Sequence, residues 1–333
     1  MSDNSNRAIR WGIMGPGSIA RRFTEGLKAL PDADLAAVGS RDKSRAEAFA
    51  SEHGYKRTHG SYQELVNDPE VDVIYVATPH NGHYEGCMMA LDAGKAVLCE
   101  KPFMMNSKQS AEVIAKARDK KLFLMEGMWT RCFPIFERLR SLLKEEVIGK
   151  VWLLDADFGF RAGYNPESRL FDPVKGGGGL MDVGVYCVSL SSMILGTPDK
   201  VEGMATLGLS GVDEVAAINL HHEDGSIAML STTLRANTPS IATLCGENGS
   251  IVINSAWWCP ARLTVKVNGK DTEVIEMPFE GGGFQFEAAE VQRCVREGLT
   301  ECPIMPLDET LQIMKTLDTL RSLWGVRYPA DNE

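Results

Sequence analysis

From Ile9 to Gly127, short apolar runs alternate with longer segments whose apolar residues recur at helical spacing. The runs IRWGIMG, DLAAVGS, VDVIYVAT, AVLCE and LFLME, beginning at Ile9, Asp34, Val71, Ala96 and Leu122, read as strands. Residues 18–30, 43–53, 82–94 and 107–119 read as helices. Strands that are apolar on both faces and separated by helices belong to a parallel sheet, because each crossover helix shields the face it crosses. The pattern predicts a doubly wound α/β domain over residues 1–128.

After Trp129 the period changes. A helical stretch at 133–145 leads into KVWLLDADFGFR, where Leu154, Ala156, Phe158 and Phe160 alternate with Asp155 and Asp157. One apolar and one polar face mark a longer strand of the antiparallel kind. Further β-rich segments follow at 200–208, 214–221, 226–234, 241–246, 250–254, 261–267 and 272–277, interrupted by a helix near 180–195 and followed by helices at 284–298 and 307–324. Residues 129–333 are therefore expected to form an α+β domain with a large, mostly antiparallel open sheet.

The first strand runs into Gly12-Ile13-Met14-Gly15-Pro16-Gly17-Ser18-Ile19-Ala20, which matches G-x-G-x-x-A at residues 15, 17 and 20. Between a strand and a helix, this spacing gives a tight turn, a close approach of backbone to pyrophosphate, and a small residue where helix meets strand. The helix N-terminus, with Ser18 and Ile19, then faces the phosphates. This is the arrangement of a Rossmann domain. At the end of the second strand an NAD site wants a carboxylate for the ribose diol, whereas this chain offers Ser40-Arg41-Asp42, with Arg45 one helical turn further on. Hydroxyl and guanidinium suit a 2′-phosphate, which favours NADP. Asp42 keeps NAD possible, and a plain alternative makes Arg41 and Arg45 a solvated face with Asp42 capping the next helix.

Ligands of doubly wound folds lie outside the carboxyl ends of the strands. The strand at 72–77 exits into Thr78-Pro79-His80-Asn81-Gly82-His83, and the strand at 96–99 exits into Glu100-Lys101-Pro102. A charged pair at the mouth of a core strand is costly unless paired or used, and Pro102 restricts the backbone of Lys101 and so aims its side chain.

Composition narrows the partners. The 333 residues carry a net charge of −10 and no basic run long enough to track a phosphate backbone, so nucleic acid is not an expected partner. Eight cysteines are scattered without a C-x-x-C pair, which fits reduced thiols. The polar start MSDNSNRAIRWG lacks the apolar segment of a secretory signal, and about 18 uninterrupted apolar residues occur nowhere, so a cytoplasmic protein without a membrane span is expected.

Taken in order, GxGxxA, Ser-Arg, ATPHNGH and CEKP resemble the Gfo/Idh/MocA oxidoreductase family. The likeness continues through MEGMWTR at 125–131 and GGLMDVGVYC at 178–187, and so covers essentially the whole chain. It implies a dehydrogenase using NADP on a small polyol, sugar or cyclic diol, with Lys101 beside the nicotinamide and the reacting carbon. Many members have histidine where this chain has Tyr186, and Asp182 lies four residues earlier on the same helix. The resemblance makes Lys101, Tyr186 and Asp182 the catalytic group. The working hypothesis is that Tyr186 exchanges the substrate proton, Lys101 lowers its pKa and polarises the substrate oxygen, and Asp182 orients substrate or lysine. Lys101 as the direct acid and base is the open alternative.

The resemblance also implies that Thr78, Pro79, His80 and Glu100 line the cofactor, and that Trp129 and Arg131 at the domain junction contact cofactor or substrate. Interdomain packing is the alternative for that pair. His80, Trp129, Phe160, Asp182 and Trp258 are the expected substrate contacts, with Phe160 and Trp258 forming an apolar wall, although Trp257-Trp258 also suits a dimer contact. The family associates through the open face of the second sheet, which implies a homodimer. His80 and His83 have ligand-like spacing without further ligands, so no metal is expected. The glycine run 176–179 is read as a mobile loop rather than an anion cradle. Two rivals stand beside a freely exchanging dehydrogenase. One is a sugar oxidoreductase that retains NADP, disfavoured by the short stretch before the first strand. The other is a non-catalytic dinucleotide sensor.

Overall fold

The computed structural model describes residues 7–332. It divides into two compact units, one comprising the chain through Cys132 together with Glu280–Thr310, the other Phe133–Phe279 with the segment from Leu311 onward.

The first unit is built on strands β1 (Ile9–Met14), β2 (Ala33–Gly39), β3 (Arg57–His59), β4 (Val73–Val76), β5 (Ala96–Glu100) and β6 (Leu124–Gly127). They form one sheet in the order β3-β2-β1-β4-β5-β6, every pairing parallel. Between β1 and β4 the order reverses, which creates the crevice where ligands of such sheets lie. The connecting helices are α1 (Ser18–Lys28), α2 (Lys43–His53), α3 (Tyr62–Val66), α4 (His83–Asp92) and α5 (Ser107–Lys120). Every residue of β4 and β6 is buried, as the continuous apolar runs require.

Strands β7 (Val151–Gly159), β8 (Lys200–Leu207), β9 (Asp213–His221), β10 (Ile227–Thr233), β11 (Ala242–Gly246), β12 (Gly249–Ile253), β13 (Arg262–Val267) and β14 (Glu273–Glu276) form the sheet of the second unit. Their order is β14-β13-β12-β11-β7-β10-β9-β8, antiparallel except where β10 runs parallel to β7. The helices that follow in chain order are α6 (Pro134–Lys144), α7 (Val185–Leu195), α8 (Phe284–Arg296) and α9 (Leu307–Trp324). Helix α7 covers one face of this sheet. On the open face, strand register aligns Val274, Thr264, Val252, Thr243, Asp155 and Met229 in one row. The stretch Pro173–Leu195 is long and apolar enough by composition to cross a bilayer, and 78% of that window is buried within the protein, which accounts for its composition.

The division departs from the single boundary expected near residue 128. Helix α8 belongs to the first unit, where it packs on α1. Gly26 allows that approach, since a Cβ there would lie 2.7 Å from Gln285 N and 2.9 Å from Phe284 C. Polar contacts complete the dock: Trp11 Nε1 donates to Gln292 at 3.3 Å, Gln292 donates to Asp32 at 3.1 Å, and Arg296 pairs with Asp32 at 2.6 Å. These partners are far apart in sequence, so local periodicity carries no sign of them.

Candidate active site

At the switch point, Gly15 takes a φ of +94°, and a Cβ there would meet the Ala77 carbonyl and Thr78 Cγ2 at 3.2 Å, so the turn itself demands glycine. Gly17 differs. Nothing lies within 4 Å of where its Cβ would stand, which leaves open space over the start of α1. The first N–H groups of a helix have no intrahelical acceptor, and no side chain caps α1, so those of Ser18 and Ile19 are offered to that space. Nearby at the end of β4, Thr78 Oγ1 is buried without a hydrogen-bond partner. An anionic dinucleotide fits this turn.

At the end of β2, Ser40 is buried and its hydroxyl accepts from Asp42 N at 3.2 Å. Asp42 caps α2, its Oδ1 accepting from Ser44 N at 2.9 Å and Ser44 Oγ at 2.7 Å, and these bonds hold its carboxyl below the usual range. Arg41 and Arg45 are exposed. The capping alternative is therefore right about Asp42, and a carboxylate tied into a helix cap is poorly placed to turn to a ribose diol.

His83 is fully buried and joins the two loaded strand exits. Its Nε2 faces Thr78 O at 3.0 Å, and its Nδ1 faces Pro102 O at 3.0 Å and Phe103 O at 3.2 Å. Burial lowers its pKa, and a neutral ring has one N–H, so one nitrogen meets carbonyl oxygen without a proton. Neither nitrogen is turned to a metal. His80 is buried beside it, ring centroids 5.7 Å apart, while Pro79 is exposed. The Lys101–Pro102 peptide is cis, and Lys101 is half-buried.

Glu100 is buried. It accepts a hydrogen bond from Tyr75 Oη and, through Oε2, from Lys101 N at 3.2 Å. Burial raises its pKa, against the pull of Tyr75 and Lys101. From α8, Glu287 enters the same buried region with neither carboxylate oxygen hydrogen-bonded, and burial followed by the charge of Glu100 pushes its carboxyl well up. Glu126 on β6 is likewise fully buried, and burial raises its carboxyl to about 7. Sequence reasoning missed Glu287 and Glu126. The signal for Glu287 was its place in the apolar stripe of α8, with Phe284, Ala288 and Val291.

Trp129 and Arg131 both have protein partners within the first unit. Trp129 is stacked on Phe284, centroids 4.4 Å apart and planes within 2°, with the Arg22 guanidinium 5.7 Å from one ring and 5.0 Å from the other. Arg131 is buried and donates to Glu309 Oε1 at 2.7 Å and toward Ile304 O at 3.4 Å. The returning segment 280–310 supplies these partners within the first unit.

In the second unit, Asp182 lies in a π-helical turn, Leu180–Gly184, and Tyr186 in the first turn of α7. Such turns recur at functional sites. Asp182 is buried, its Oδ1 accepting from Arg169 Nη1 at 2.8 Å. The Tyr186 ring, also buried, lies 5.4 Å from Phe158, which stacks on Trp258 at 3.7 Å. The aromatic wall is thus Phe158 with Trp258. Phe160 falls beyond the end of β7 and is half-buried, its N–H bonded to Thr233 O at 3.0 Å. Trp257 is fully buried, donating to Asp157 O at 2.7 Å, so it is core rather than a dimer contact.

The glycine run 176–179 is pinned. Tyr328 Oη donates to Gly177 O at 2.5 Å, and Asp213 accepts from Leu180 N at 2.6 Å. A Cβ on Gly178 would stand 2.3 Å from Asp213 Oδ1, so the run packs directly against the protein's own carboxyl group.

Two family models match the chain. Residues 9–128 match the family described as "Oxidoreductase family, NAD-binding Rossmann fold", and residues 136–252 match the GFO/IDH/MocA C-terminal domain. Trans-1,2-dihydrobenzene-1,2-diol dehydrogenase from Homo sapiens is 38% identical over 97% of this chain and 99% of its own length, and that from Xenopus laevis is 40% identical over 97% and 100%. A 3-ketoreductase from Actinomadura kijaniata, solved with NADP and TDP-benzene, superimposes with a TM-score of 0.83 at 27% identity, covering 95% of this chain and 98% of its own.

Proposed function

The chain belongs to the Gfo/Idh/MocA oxidoreductase family, and from that premise we propose an NADP-dependent oxidoreductase that moves a hydride between nicotinamide and a secondary alcohol of a cyclic diol or sugar. The observation that carries this reading is the near full-length likeness to diol dehydrogenases. The nucleotide end supports it: open space at Gly17 over the start of α1, with Arg41 and Arg45 exposed near buried Ser40 while Asp42 is committed to a helix cap.

The bound nicotinamide supplies or accepts the hydride. In our reading Tyr186 exchanges the hydroxyl proton. An ordinary tyrosine titrates near pH 10, so this role needs a cation at the same oxygen, and Lys101 is the residue we assign to it. Asp182, steadied by Arg169, orients the substrate, and the stacked Phe158 and Trp258 suit a flat ring or the apolar face of a sugar.

A spectrophotometric panel of sugars and cyclic diols with NADP and NAD in parallel tests the activity; turnover with NAD alone refutes the NADP reading. Tyr186→Phe is expected to lower turnover by roughly a hundredfold or more, with the alkaline limb of the pH profile altered. Near-normal turnover with an unchanged limb removes tyrosine from the mechanism.

We further propose a homodimer through the open face of the second sheet. Met204, Val215, Met229 and Val274 are exposed there. Light scattering is expected to report a dimer that Met229→Glu converts to monomer; a wild-type monomer refutes it.

A further inference from the structure

Among the described residues, one group of metal-ligating side chains includes none of those assigned to the reaction: Glu290 and Cys294 on α8, with Cys302 on the segment that follows. Glu290 Oε1 lies 3.4 Å from Cys302 Sγ and 3.6 Å from Cys294 Sγ, and all three ligand atoms fall within 4.8 Å of one another. In a tetrahedral zinc site, Zn–S bonds of about 2.3 Å and Zn–O bonds of about 2.1 Å place sulfur and oxygen ligands about 3.6 Å apart. The two observed separations are those of a tetrahedron's edges.

Charge and surroundings agree with a metal. Arg293 forks onto Glu290, Nε to Oε2 at 2.9 Å and Nη2 to Oε1 at 2.6 Å, and Nη2 also reaches Cys294 Sγ at 3.5 Å. Two thiolates and a carboxylate carry three negative charges, which a divalent cation offsets in large part, with Arg293 shared between Glu290 and Glu297. A carboxylate ligand held by an outer hydrogen bond is the usual support of such sites. Both thiols are fully buried, whereas Glu290 is partly exposed and Arg293 more so, so one side stays open to the ion and to a water as fourth ligand.

The geometry points to a three-ligand site for a thiophilic divalent cation, zinc by preference, held by Glu290, Cys294 and Cys302 with one position left to water. Binding forms two Zn–S bonds and one Zn–O bond and releases both thiol protons to solvent. The ion would clamp the last turns of α8 to the segment that docks on the edge of the first sheet, where Leu124 N donates to Thr300 O at 3.1 Å and Leu124 bridges Glu301. No C-x-x-C motif announces it, because α8 and the following turn bring the two cysteines together from eight positions apart.

The test uses the reduced full-length protein, stripped with chelator and titrated with Co²⁺ as a spectroscopic probe. Expected are a thiolate-to-cobalt charge-transfer band and tetrahedral d–d bands that saturate at a single equivalent per chain and disappear on adding Zn²⁺. Cys302→Ser and Cys294→Ser are expected to abolish the charge-transfer band, Glu290→Gln to weaken cobalt binding by roughly tenfold or more, and Cys245→Ser to leave it intact. Circular dichroism checks the fold of each variant; if Cys294→Ser does not fold, Cys302→Ser and Glu290→Gln decide. Absence of the band in the wild type, or a band that survives Cys302→Ser, overturns the proposal.

Discussion

Replacing Glu126 with glutamine removes a buried carboxyl whose proton is bound more tightly in the folded protein than in the unfolded chain. Burial raises the group from 4.5 to about 7, against the opposing pull of Thr310 and Arg131. Between those values the folded state holds a proton that the unfolded state releases, so stability falls as pH rises through the window and levels off above about pH 7. The full difference amounts to about 3 kcal/mol, of which less than about 1 kcal/mol has been lost at about pH 5 and nearly all by about pH 8. The assay is urea unfolding of wild type and Glu126→Gln at intervals across that range, followed through the transition of the first unit. Asp213, which burial raises to about 6, tilts both curves alike and cancels in their difference. The amide adds an unmet buried donor, an offset of about 1–3 kcal/mol that does not vary with pH. The variant should therefore gain about 2–3 kcal/mol relative to wild type between about pH 5 and pH 8. A difference that stays level across the range refutes the reasoning and puts an ionised carboxylate at Glu126.

Two further outcomes follow from the packing and from the nucleotide end. Gly26→Ala sets a methyl against the backbone at Gln285 and Phe284, which cannot move aside as a side chain can; a loss of about 1–3 kcal/mol is expected in thermal or urea unfolding, and an unchanged midpoint contradicts the α1–α8 contact. Arg41→Ala is expected to raise KM for NADP roughly tenfold, about 1.4 kcal/mol, while leaving KM for NAD nearly unchanged. An equal effect on both cofactors removes Arg41 from recognition of the 2′-phosphate.

The parallel sheet was legible because β1, β4, β5 and β6 are buried on both faces and so write continuous apolar runs into the chain. β3 and α3, at three and five residues, are too short to show a period and went unseen. The turn at Gly15 and Gly17 and the loaded exits at Thr78 and Glu100 could be read because a site at strand ends is local in sequence. What could not be read depends on pairs distant along the chain. Nothing near Arg131 announces Glu309, and nothing near Trp129 announces Phe284. Phe158 and Phe160 share one alternation, and only the end of β7 at Gly159 separates the wall residue from its neighbour. Gly178 looked like slack until Asp213, from another strand, filled the space a side chain would need.

The return of residues 280–310 to the first unit fixes the order in which the molecule can be completed. As the chain emerges from the ribosome, β1 to β6 appear early, yet Phe284, Gln292 and Glu309, the partners of Trp129, Trp11 and Arg131, do not exist until β7 to β14 have been made. Through most of synthesis, the α1 face that α8 will cover stands open to water or to a chaperone. A premature stop between 133 and 279 would release both halves of the Rossmann turn and none of the helix that seals it.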